Sequence, residues 1–279
     1  PGSHAEGNFG QFRASKVKVG ADYDEQFVHE LSQKCMEKGI PAGTQGERDP
    51  ELDHATMIPL YFLHHYIKDF KVVRIGISGL SALAHYRFGQ AVQETVESLG
   101  RRTVFIASGD LSHKLKTDGP YGFAKEGPVF DQEITEAFAS GDFMRFLTFA
   151  PAFCDKAAEC GLRSFLIMAG ALDRTKVASR LYSYEGPFGV GYGVAEFVPE
   201  GRDASRNIGD QYEALMIKKV KEDQAKEDPY VHLARETISR SIKHLPDVKD
   251  LAGYPEEMRS RKAGVFVSIH EDGQLRGCI

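Results

Sequence analysis

Three short segments of the sequence carry side chains able to do chemistry. In Ser108-Gly109-Asp110-Leu111-Ser112-His113 an imidazole follows an apolar run through a tight loop that contains an acid and a hydroxyl. Histidine exchanges protons near neutral pH, and an adjacent carboxylate or hydroxyl can fix its tautomer, so His113 is a candidate acid/base with Asp110 and Ser112 beside it. The plain alternative is a satisfied loop histidine, because such loops are polar in any case. In Leu52-Asp53-His54-Ala55-Thr56 a second histidine follows an acid at the mouth of an apolar run. Asp53 is equally placed to cap a helix, which would leave His54 incidental. In Glu159-Cys160-Gly161 a carboxylate and a thiol precede a small-residue, apolar helix. Glu159 would be a hard oxygen donor suited to iron or manganese and Cys160 a softer thiolate donor, although a buried cysteine is often only a small hydrophobe.

The elements that must position these residues alternate in type. Residues 16–19 have the period of a half-buried strand, and Asp24 opens a helix whose apolar positions Phe27, Val28, Leu31, Cys35 and Met36 recur every three or four residues. The stretch 41–53 is turn-rich and delivers the chain to the apolar run 57–67. Residues 71–78 (KVVRIGIS) read as a β-branched strand, 84–99 as an amphipathic helix ending at Gly100, and 102–108 (RTVFIAS) as a central strand covered on both faces. Helices are expected at 128–139 and 160–172, and strands at 177–184 and 189–197. This alternation predicts an α/β fold with a mainly parallel central sheet flanked by helices, whose ligand sites lie beyond the carboxyl ends of the strands, where residues 109–113 fall.

A first domain is expected over 1–199 and a charged linker with a helix over 200–228. A partial second unit over 229–279 would consist of a helix opened by Asp228-Pro229 and a hairpin turned by Glu271-Asp272-Gly273. The chain opens on Pro1 and stops at Ile279 inside a strand-like run, so a segment of a longer protein is expected. Its 279 residues are 42% hydrophobic and 27% charged with net charge -5, which excludes a disordered tail and a basic nucleic-acid scaffold. The four cysteines form no C-x-x-C pair, so neither a zinc knuckle nor a disulfide framework is indicated and a reducing cytoplasm is the expected compartment. No apolar run is long enough for a membrane span, and the length of the 57–67 run is compatible with a homo-oligomer.

Taken in order, LDHATMIPL, SGDLSHKLKTDGPYGFAKEGPVFD, AECGLRSFLIMAGAL and YEGPFGVGYGVAEF, with the opening 7–12 (GNFGQF), resemble the class III extradiol dioxygenase B-like superfamily and its Memo-like branch. Residues 230–279, with AGVFVS and LRGCI, resemble the beginning of an AMMECR-one domain, a fusion similar to proteins of the AmmeMemoRadiSam system, which pair both domains with a radical-SAM partner. The resemblance implies an α+β second domain. For the first it implies a non-haem Fe(II) site, or another divalent metal, that acts on a small aromatic such as a catechol. By resemblance His113 matches the acid/base histidine of that family, and His54 a pocket histidine that contacts substrate with Thr56 beside it. Either Glu159 or Cys160 would be a metal ligand, Glu159 being the first choice. The family's two metal histidines fall upstream of these residues, outside this sequence. A non-oxygenase module that binds metal or works with a radical-SAM enzyme is the alternative the same resemblance allows.

Overall fold

The computed structural model describes residues 3–43, 51–271 and 274–278. The chain divides at Gly209 into two compact units. In the first, β1 (His4–Phe9) and β2 (Ala14–Asp22) pair antiparallel around a tight turn at Arg13, and Asp24 then caps α1 (Glu25–Glu37) by accepting from Phe27 N at 3.1 Å. The buried stripe of α1 is Phe27, Leu31 and Cys35, whereas Met36, expected on that stripe, is 76% exposed. Asp53 opens α2 (His54–Leu63) by accepting from Thr56 N at 2.9 Å. Met57 and Leu60 of that helix join Ala5, Val19 and Ala21 of the hairpin in one core cluster.

Ser81 caps α3 (Ala82–Leu99), which ends on a left-handed Gly100 as the sequence predicts. Four helices follow in close succession: α4 (Glu126–Ser140), α5 (Phe143–Thr148), α6 (Pro151–Ala157) and α7 (Leu162–Ala171). Phe130, Phe138, Phe143, Phe146 and Phe165 from these helices are all buried. Phe138 meets the ring of Phe165 edge-on at 5.1 Å, a geometry that suits the aromatic quadrupole. The antiparallel strands β3 (Thr175–Glu185) and β4 (Tyr192–Arg202) close against this layer through Phe197, whose ring lies 5.2 Å from that of Phe143.

The mixture of helices and sheet is the α/β class that the alternating pattern predicts, but the pairing differs from the expected parallel sheet. Among the described residues the three sheets are two-stranded and antiparallel. Neither 71–78 nor 102–108 forms a ladder, and only an isolated parallel bridge joins Val72 to Tyr23. Val73, Ile75 and Phe105 still pack on the α1–α3 core, but Val104 is 82% exposed, so 102–108 is not covered on both faces as expected. A strand requires a hydrogen-bonding neighbour about 4.7–4.9 Å away as well as a face to bury, and here only the second condition is met.

In the second unit α8 (Ile208–Gln224) continues across the division and is followed by α9 (Pro229–Ile242), α10 (Glu256–Ser260) and the antiparallel pair β5 (Ser268–Glu271) and β6 (Gln274–Cys278). Asp228 accepts from Tyr230 N and Val231 N, so Asp228-Pro229 opens α9 as expected. Of the expected hairpin turn, Asp272 and Gly273 lie outside the described residues. No helix among the described residues is long and apolar enough to cross a membrane.

Helices α3 and α7 cross at two glycines. A Cβ on Gly89 would stand 2.0 Å from Ile167 O, and one on Gly170 would stand 1.9 Å from Tyr86 O. Alanine would raise helix propensity by about 1 kcal/mol, but overpacking against rigid backbone costs about 1–3 kcal/mol or more. Gly89→Ala and Gly170→Ala are therefore each expected to lower unfolding free energy by about 2 kcal/mol, read from the urea midpoint at constant slope, whereas equal or greater stability would contradict so close a helix contact.

Candidate functional site

Two loops meet at the site. One, 109–113, follows the unpaired segment 102–108; the other, 158–161, leaves α6 through Ala158, whose φ of 54° is left-handed and ends that helix. They touch through glycine: a Cβ on Gly109 would lie 2.4 Å from Gly161 Cα, and one on Gly161 would lie 2.4 Å from the Phe165 ring and 2.9 Å from Asp110 O. Only residues without side chains allow this approach. As a result Cys160 N bonds Asp110 O, and Asp110 N donates to Cys160 Sγ at 3.2 Å.

The side chains of Asp110, His113 and Cys160 converge there. His113 Nε2 lies 3.4 Å from Asp110 Oδ2 and 3.8 Å from Cys160 Sγ, and the three donor atoms all fall within 4.8 Å of one another. Such spacings let the carboxylate oxygen and the sulfur share one cation bonded at about 2.0–2.3 Å, a pair suited to a divalent transition metal, with the imidazole nitrogen beside them. Tyr121 stacks on the His113 ring with centroids 5.0 Å apart and planes 24° apart. Tyr192 also feels the site: desolvation first, then the charges of Asp110 and Tyr121, push its hydroxyl pKa upward.

The neighbouring candidates are engaged elsewhere. Glu159 Oε2 accepts from Leu162 N at 2.7 Å at the start of α7, and burial raises its pKa against the counteracting pull of that hydrogen bond and of Arg163. Adjacent residues of a tight loop project in different directions, so Cys160 faces His113 while Glu159 serves the helix end. Ser112 is fully buried and donates its hydroxyl to Ala157 O at 2.8 Å, which ties the 109–113 loop to the end of α6 inside the protein. His54 starts α2 and packs edge-on against Phe12 at 5.8 Å, and Thr56 is bonded to the capping Asp53. Desolvation would raise the Asp53 pKa, but the Thr56 hydrogen bonds and the Arg74 charge hold it below the usual carboxylate range. Helix α2 meets the 109–113 segment where Ser108 Oγ donates to Ala55 O at 3.4 Å. Sequence patterns do not single out Asp131, Tyr121, Tyr184 or Tyr192, whose only sign is an acid and aromatic residues in otherwise ordinary helix, loop and strand stretches.

A unit of helices over small sheets, with a carboxylate, an imidazole and a thiol meeting between two loops, defines an α/β protein with a candidate metal centre. The model of the catalytic LigB subunit of aromatic ring-opening dioxygenase matches residues 3–195, and the chain belongs to that family. The AMMECR1 model matches residues 231–279. Protein CA_C1420 of Clostridium acetobutylicum is 36% identical over 287 residues, which covers 98% of this chain and 60% of that protein. The 2-aminophenol 1,6-dioxygenase beta subunit of a Pseudomonas species is 27% identical over 198 residues, 63% of this chain and 65% of that subunit. A Thermotoga maritima protein is 41% identical over 54 residues, 19% of this chain and 31% of that protein. The chain thus spans 60% and 65% of the first two relatives.

Desolvation, with the charges of Asp110 and Glu159, raises the Cys160 pKa against the opposing Asp110 N–H bond. The thiol therefore stays protonated at neutral pH in the metal-free protein, and its reactive fraction grows only above the ordinary thiol range. In a Cys278→Ser background, where Cys160 is the exposed cysteine and Cys35 and Cys154 are buried, iodoacetamide alkylation should rise with a midpoint above that range. Asp110→Asn should move the midpoint down by removing a negative charge. A wild-type midpoint below the ordinary range would show that the sulfur is not so placed.

Proposed function

We propose that the first unit is a metal-dependent, oxygenase-like module that acts on a small aromatic carrying ring hydroxyl or amino groups, with Cys160 and Asp110 as ligands of a non-haem iron and His113 as the proton carrier. The observation that carries this reading is the convergence of the three side chains, with His113 Nε2 3.4 Å from Asp110 Oδ2 and 3.8 Å from Cys160 Sγ. Membership of the LigB family, which generally binds non-haem iron, and the likeness to a 2-aminophenol 1,6-dioxygenase beta subunit support the metal and the substrate class. When bound, the iron would supply Lewis acidity and redox exchange with oxygen. The chain's own groups do the rest. His113 Nε2 accepts the proton released by a substrate hydroxyl or amino group. The Tyr121 ring shields the imidazole from water and offers an apolar face to a planar substrate. Ligation by Cys160 must displace its thiol proton, so metal affinity falls as pH falls. His54 and Thr56, at the start of α2 beside Ser108, are assigned to the substrate.

A second reading is favoured by the AMMECR1 match directly after the first unit and by a match to the Clostridium protein that runs through both. In it the unit binds metal without ring cleavage and serves a partner of the radical-SAM type.

Anaerobic iron loading followed by oxygen uptake with catechol and with 2-aminophenol separates the two readings. Cys160→Ala should weaken iron binding by at least ~100-fold, beyond the ~10–100-fold typical of supporting groups. His113→Ala should retain iron and lose ~10²–10⁴-fold in turnover. Full iron content without oxygen uptake on either compound would favour the second reading, and normal turnover by His113→Ala would remove His113 from proton transfer.

A further inference from the structure

A buried carboxylate lies behind Asp110 and His113. Asp131 on α4 is 1% exposed, and among the described residues no ion pair engages it. Its oxygens divide their work: Oδ1 accepts from Ser112 N and Oδ2 from Tyr184 OH, each at 2.7 Å. A buried carboxylate loses strong hydration and persists only where donors replace the water. The burial raises its pKa, as an isolated carboxylate in such a place requires.

The surroundings are shaped to admit this carboxylate. A Cβ on Gly191 would lie 2.0 Å from Asp131 Oδ2, and a Cβ on Gly127 would lie 2.6 Å from Ser112 Oγ. Ser112 in turn receives Gly191 N at its carbonyl at 2.8 Å, and its hydroxyl donates to Ala157 O in the chain that leads to Cys160. Ser112 is thus bonded on every polar side, and among the described residues the side chain that anchors its backbone N–H is Asp131.

We propose that Asp131 is a positioning residue of the site: it clamps Ser112, and through it holds Asp110 and His113, two residues before and one after, against Cys160. The inference deepens the reading of the site as a metal centre and rests on it for its second measurement, while the first is independent of metal. Without the carboxylate the Ser112 N–H is left buried and unpaired, a state the loop escapes by shifting, and that shift carries His113 away from both Tyr121 and Cys160. Asparagine at 131 keeps an acceptor for Ser112 N, and Tyr184 can turn to accept from its amide, so it preserves the clamp.

The test uses the full chain with Asp131→Ala, Asp131→Asn and Gly191→Ala, the last forcing the carboxylate aside while retaining it. In metal-free protein, proton NMR reads the upfield ring-current displacement of the His113 imidazole protons over Tyr121, assigned by its loss in Tyr121→Ala. Titration with cobalt(II) then reads the thiolate-to-metal absorption band. Asp131→Ala should lose the ring-current displacement and weaken cobalt binding at least ~10-fold, Asp131→Asn should recover both, and Gly191→Ala should reproduce the loss in part. If Asp131→Ala does not fold, Gly191→Ala against Asp131→Asn decides by the same signals. A folded Asp131→Ala, or in its place Gly191→Ala, with the wild-type displacement overturns the clamp whatever cobalt does. Absence of cobalt binding by the wild type overturns the metal reading and leaves the NMR result to judge the clamp.

Discussion

Everything chemical in the first unit depends on a backbone approach that no side chain could permit. Gly109 and Gly161 come so close that a Cβ on either would overlap the other loop or the Phe165 ring. That contact lets the peptide of Asp110 exchange bonds with Cys160, and it brings a thiol to within reach of an imidazole 47 residues earlier in the chain. The cost in chain entropy that glycine carries is accepted because the alternative is to separate the loops by the thickness of a side chain. The same device recurs where α3 crosses α7 at Gly89 and Gly170, so the loops stand on helices packed backbone to backbone.

Around that contact the polar groups are sorted by burial. Asp110 and Cys160 are exposed enough to meet a ligand, whereas Ser112 and Asp131 are enclosed and hydrogen-bonded to protein groups. Those enclosed bonds give the loop one arrangement, since an unpaired buried donor or acceptor would cost about 1–3 kcal/mol. The exposed groups are held in non-ideal isolation: the Cys160 thiol is pushed toward its protonated form by desolvation and by neighbouring carboxylates. A cation among them would reverse that bias, which is the electrostatic argument for reading the cluster as a metal centre.

Much of the architecture is legible from local signals. Asp24, Asp53 and Asp228 each accept a backbone N–H at the helix start that their position predicts. The helices at α4 and α7 and the β3–β4 strands follow from periodicity, which reports burial of one face and little else. Where a second requirement enters, periodicity misleads. Residues 71–78 and 102–108 have the composition of strands and bury their inward side chains, yet a ladder depends on a neighbour that composition does not report. Met36 lies at the edge of a stripe whose width is set by what α3 covers.

Residue types alone establish the pool of chemistry in this protein: an imidazole after an acid, a thiol beside a carboxylate, and motifs distinctive enough to place the chain in the LigB family with an AMMECR1 segment after it. They do not establish which member of each pair is used. Glu159 is the first choice over its neighbour Cys160 in one dimension, and only the turn at Ala158 and the pull of the α7 N-terminus send the one to Leu162 N and the other to His113. Ser112 likewise reads as a hydroxyl beside a catalytic group until folding buries it under Asp131, 19 residues away. The reason is common to each case: element type is a short-range property of the chain, whereas the direction of a loop side chain is set by bonds to residues that are near only in space.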